Sequence, residues 1–122
     1  MMLRKVCLSL ALAASLFAAD AVVDKAKKQI AEKKYDEAIT ALESSYKTNP
    51  KSADLKKVLV DAYLGKGDSM MYNEALPPRV KYPGALKAYR TVLTFDKANA
   101  KATTNIKTIE DIYKSMGRPV PQ

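Results

Sequence analysis

Two stretches decide how this chain folds: Lys34–Pro50, KYDEAITALESSYKTNP, and Lys81–Lys97, KYPGALKAYRTVLTFDK. Each opens Lys-Tyr, passes two variable residues, and continues with Ala, an aliphatic residue and apolar side chains every three or four positions. That rhythm puts the apolar residues on one stripe of an α-helix. The opening tyrosines, Tyr35 and Tyr82, stand 47 residues apart. Repeats built from two helices recur about every 34 residues. The second copy is therefore longer than such a unit requires, and the surplus needs a place in the fold.

Working outward, the same rhythm predicts three more helices. Over Val22–Lys34 the stripe is Val22, Val23, Ala26, Ile30 and Ala31, opposite Lys25, Lys27, Lys28, Lys33 and Lys34. The helix of the first copy runs from about Asp36 to Tyr46, with acids in its first turn where they suit the helix dipole, and Asn49-Pro50 ends it. Ser52 is the N-cap of a third helix, with Leu55, Val58, Leu59, Ala62 and Tyr63 on its stripe, before Gly65 and Gly67. Tyr82-Pro83 opens the fourth, with proline near the first helical position. Asn99 caps the fifth, in which Ala102, Ile106, Ile109, Tyr113 and Met116 share a face. Gly117 suits a left-handed helix end and Pro119 stops continuation. No strand pattern competes.

The chain has 122 residues, no His, no Trp, one Cys and a net charge of +8. Its first residues read as a secretory leader. MMLRK is basic, VCLSLALAASLFAA is an uncharged run too short to span a bilayer, and Ala19-Asp20-Ala21 offers small residues for cleavage. Cleavage is expected after Ala21, with Ala18 and Ala19 as alternative sites, and the protein is expected to be periplasmic or secreted, without an integral membrane segment. Cys7 stands at the start of the apolar run, behind Arg4, Lys5 and Val6, and not at its end, so a lipid anchor is rejected, and no cysteine remains after the leader to form a disulfide.

The segment AKKQIAEKKYDEAITALESSYKTNPKS resembles a tetratricopeptide repeat. The likeness rests on Tyr35, on Asp36-Glu37-Ala38-Ile39, on Leu42, on small Ser45, and on the closing Asn49-Pro50. Ala26 and Ala38 take the positions where two helices cross closely, and a bulky side chain there would push the axes apart. The resemblance implies an all-α fold of antiparallel helical hairpins stacked as a short right-handed solenoid. On that reading residues 22–52 are one repeat, 53–99 a second repeat with an insertion over 69–81, 100–116 a C-terminal capping helix, and 117–122 a tail. Val60 departs from the family's small residue, and Lys97 stands where a closing proline would be. An unrelated helical bundle is the alternative.

The insertion, SMMYNEALPPRVK, admits two readings. Met70, Met71, Tyr72 and Leu76 fold back onto the core, or they protrude as a binding element, since methionine surfaces adapt to partners.

Catalytic chemistry has no visible carrier. There is no histidine, LGKGD lacks the spacing of a phosphate loop, and the paired acids Asp36-Glu37 and Glu110-Asp111 have helical roles. No enzyme, cofactor or metal is expected. Only Arg79, Arg90 and Arg118 remain as arginines after the leader, which with export argues against nucleic acid. The lysine-rich surface reads as a solvated face, or as an attraction to an acidic partner or anionic envelope component.

The resemblance implies a protein-interaction scaffold in which the first helix of each repeat lines a groove for a peptide or helix. The groove residues would be Lys27, Ile30, Lys57, Asp61, Leu64, Lys101, Thr104 and Thr108. Some family members clamp a terminal carboxylate with Lys and Asn. Lys57 and Asn105 fit loosely, but Asp61 stands where that clamp wants Asn. The alternative is self-association, because two repeats and one closing helix are few for independent stability, with Met70, Met71 and Leu76 as the contact.

Overall fold

The computed structural model describes residues 18–122. The leader expected over 1–21 lies, but for its last four residues, outside the described residues, and those four are helical. Among the described residues there are helices and connections and no strand. They form α1 (18–31), α2 (Tyr35–Thr48), α3 (Ala53–Met71), α4 (Pro78–Phe95) and α5 (Ala100–Ser115). The expected all-α, helical-hairpin repeat fold is what the chain adopts. Two compact units divide it, Met1–Leu59 and Val60–Gln122, with α3 running from one into the other.

In the first unit the buried side chains are Ala19, Val23 and Ala26 of α1, Ala38, Ile39 and Leu42 of α2, and Leu55, Val58 and Leu59 of α3. Ala26 and Ala38 have no accessible surface, as close helix crossing requires. Ala31, placed on the stripe by periodicity, is exposed. The turn out of α1 uses an unexpected residue. Lys33 has φ 62°, and its amide donates to the Ile30 carbonyl (3.0 Å) while the Lys34 amide donates to that of Gln29 (2.8 Å). This pair of bonds is the left-handed closure that glycine usually provides. The other helix ends follow expectation. The Leu55 amide donates to Ser52 Oγ (3.2 Å) and that of Ala102 to Asn99 Oδ1 (2.9 Å). Gly117 closes α5 at φ 66°.

The second unit packs α4 and α5 with the later part of α3. Tyr89, Leu86, Val92 and Ile109 are fully buried at its centre, joined by Val60, Met71, Ala85, Ala102 and Tyr113. Here the start of α4 differs from the sequence expectation. α3 passes through Gly65 and Gly67 to Met71, and α4 starts at Pro78 instead of Tyr82-Pro83. The physical reasons are local. A Cβ on Gly67 would stand 2.6 Å from a ring carbon of Tyr89, so this glycine marks helix contact, not a break. Pro78 takes the first helical position behind an extended Pro77 (ψ 150°), leaving Pro83 inside the helix, where it has no N–H to donate to the Arg79 carbonyl. Most of Ser69–Lys81 is thus helix, and only 72–77 separates α3 from α4.

Candidate binding surfaces

Three residues from three helices form a connected polar group in the second unit. Asp68 follows Asp61 and Leu64 along one stripe of α3 at helical spacing. Its Oδ1 accepts from Tyr89 Oη of α4 at 2.5 Å, and its Oδ2 accepts from Lys101 Nζ of α5 at 2.5 Å. Tyr89 Oη also lies 3.6 Å from Met71 Sδ. Burial raises the Tyr89 phenol above its ordinary value of 10.0, and the Asp68 carboxylate adds to this as hydrogen-bond acceptor and as a nearby negative charge. A hydrogen bond with Asn105 acts in the opposite direction. The phenol therefore stays protonated and serves as a fixed donor. This Lys-carboxylate-phenol set ties the three helices together.

The groove residues expected from sequence fall in both units. In the first, Lys27 and Lys57 are exposed and Ile30 is half-buried. In the second, Asp61, Thr104 and Thr108 are exposed, Leu64 packs against the core, and Lys101 is held by Asp68. Thr108 Oγ1 donates to the Thr104 carbonyl (3.0 Å), an intrahelical bond. Of the insertion residues, Met71 is buried in the core, Met70 packs against it, Leu76 is half-buried and Tyr72 is 66% exposed. Sequence reasoning missed Asp68 and the burial of Asn105. The signal for Asp68 was its place on the stripe of Asp61 and Leu64, hidden by the two glycines before it.

Clefts open on the described surface of each unit. One of about 630 Å³ lies in the first unit between α1 and α2, lined by Lys25, Gln29, Asp36, Glu37 and Thr40, among others. Gln29 Oε1 is buried there without a hydrogen-bond partner. One of about 320 Å³ lies between α3 and α4, and one of about 500 Å³ lies between α4 and the last residues of the chain.

A family model described as Tetratricopeptide repeat matches residues 29–69. This segment is a tetratricopeptide repeat. It takes in the end of α1, the whole of α2 and α3 as far as Ser69. No curated protein and no solved structure matches the chain. Tetratricopeptide repeats are protein-interaction modules and are generally non-catalytic, so the repeat implies a protein partner. Among the described residues, no His, Cys, Asp and Glu side chains are grouped to hold a metal ion, and no helix is long and apolar enough to cross a membrane.

Proposed function

We propose that this chain is a non-catalytic adaptor that holds a peptide or helix of another protein against the first helices of its hairpins. The tetratricopeptide match carries this reading. On it, Lys27, Ile30 and Lys57, with Asp61, Leu64, Lys101, Thr104 and Thr108, are the contact residues, and the Asp68–Lys101 pair sets α5 beside α3 to receive the ligand. The leader pattern of residues 1–21 supports action outside the cytoplasm, in the envelope or the medium. The test is affinity capture with the full chain, comparing wild type with an Asp61→Arg/Thr104→Arg variant and a Thr40→Arg control on α2. Loss of the same captured protein in the double variant alone supports the adaptor; equal capture by all three refutes it. Mass spectrometry of the exported protein should give Val22 as its first residue, and an intact Met1 would remove the export reading.

Self-association is the second reading. Tyr72 and Val80 are 66% and 44% exposed near the α3–α4 turn, and large apolar side chains at such a tip favour contact with a second copy. Sedimentation over a range of concentrations should then show a dimer that Tyr72→Ser abolishes.

A further inference from the structure

The α3–α4 cleft and the cleft between α4 and the last residues share Lys87 and Thr91, so they adjoin along one exposed side of α4. Their floors are apolar, with Tyr63 and Met70 in the first and Pro83 and Leu86 in the second. No carboxylate side chain lines either one, whereas Lys66, Lys87 and Arg90 do. Lys87 makes no ion pair among the described residues. Cations collected over apolar floors, with no Asp or Glu side chain among them, raise the local concentration of anionic ligands.

The same face already holds polypeptide. The Arg90 guanidinium donates to the Pro121 carbonyl at 2.8 Å, and Val120 packs against the core beside it. A non-helical segment of the chain thus lies along α4 with a backbone carbonyl on Arg90 and an apolar side chain inward.

We propose that this side of α4 is a second docking surface, for an acidic peptide segment of a partner protein. The segment lies across both clefts, with apolar side chains on the Met70 and Leu86 floors and carboxylates toward Lys87 and Arg90. The surface is separate from the first-helix contact residues above, so either site can fail alone.

The probe is a short fluorescent peptide of Glu and Leu, titrated into the full-length chain, beside peptides of equal length with Gln or Lys in place of Glu. The Glu peptide should bind about tenfold more tightly than the Gln peptide, and the Lys peptide should not bind. Lys87→Glu/Arg90→Glu should weaken the Glu peptide about tenfold or more, while Lys107→Glu/Lys114→Glu on α5, with the same change in charge, should stay within about twofold. Lys87→Gln alone keeps the test open if the double variant melts early by circular dichroism. Equal loss in both charge-reversed variants would reduce the effect to the chain's net charge and overturn the proposal. So would a Gln peptide that binds as well as the Glu peptide. Retention on anionic phosphatidylglycerol vesicles that depends on Lys87 and Arg90, with no peptide binding, would reassign the face to a membrane and overturn it as well.

Discussion

Gly67→Ala is expected to destabilise the protein although alanine is the better helix former. The added Cβ would stand 2.6 Å from one ring carbon of Tyr89 and 2.9 Å from two others. Ordinary carbon contacts are about 3.5–4.0 Å, so the ring must retreat by roughly 1 Å. It has nowhere to go, being fully buried with its hydroxyl held by Asp68 at 2.5 Å. Overpacking of this kind costs about 1–3 kcal/mol, and misaligning a hydrogen bond to a carboxylate puts about 1.5–3 kcal/mol at risk. The helix-propensity gain of about 1 kcal/mol offsets part of this. A net loss of about 1–3 kcal/mol follows.

Gly84→Ala is the matched control. Its Cβ would meet only the Sδ and Cε of Met70, the free end of a flexible, half-buried side chain that can swing away. There the propensity term wins, and the variant should be between neutral and about 1 kcal/mol more stable. Urea unfolding of both variants measures the difference. A double-mutant cycle of Gly67→Ala with Tyr89→Leu isolates the clash, since removing the ring should remove most of the penalty. If Gly67→Ala matches or exceeds wild type, or the cycle shows no coupling, the α3–α4 contact described here is wrong.

Lys33→Gly should stabilise the protein by about 0.5–1 kcal/mol in denaturant melts, because it removes a Cβ from a left-handed position. Tyr89→Phe should cost about 1.5–3 kcal/mol by leaving Asp68 short of a donor. In the wild type, the unfolded chain releases the Tyr89 proton above pH 10 while the folded protein keeps it. Stability present below pH 10 should therefore fall as pH rises, by about 1.4 kcal/mol per unit from this group, and Tyr89→Phe should flatten that fall. Ala38→Leu should cost about 1–3 kcal/mol by overpacking a position with no accessible surface, as a lowered melting temperature.

What could be read from the sequence was what depends on neighbours in the chain. Ser52, Asn99 and Gly117 announce helix ends through their own side chain or lack of one, and each end lies where they indicate. The buried stripes of α2 and α4 follow from spacing alone. Lys33 was opaque because nothing about lysine announces a left-handed turn. Asp68 and Tyr89, 21 residues apart, were opaque because their bond depends on how two helices meet. The two glycines of LGKGD are silent for the same reason: a missing Cβ signals either a break or a close neighbour, and only the neighbour decides. The expected groove residues came from the family resemblance, and no local signal pairs Lys101 with an acid on another helix.

Ser69–Lys81 shows where that limit matters most. Its composition admitted both a protruding element and a fold-back onto the core. Met71 lies in the core of the second unit and Met70 packs on it, both carried by the last turn of α3. Pro78–Lys81 supply the first turn of α4. Replacing 69–81 with a short turn would therefore remove a helix end from each side and open the space around Tyr89, whose hydroxyl touches Met71 Sδ. Loss of a buried methionine side chain alone costs about 2–5 kcal/mol, comparable to a large share of the stability of a small domain. Shortening only 72–77 to a tight turn removes exposed Tyr72 and half-buried Leu76 but neither methionine. Loop length by itself changes stability by less than about 1 kcal/mol. The expected order in urea is wild type, then the 72–77 replacement slightly below it, then the 69–81 replacement lower by about 2–5 kcal/mol. If the longer replacement is as stable as the shorter, Met70 and Met71 are not core residues and the segment is free to act as an interaction element.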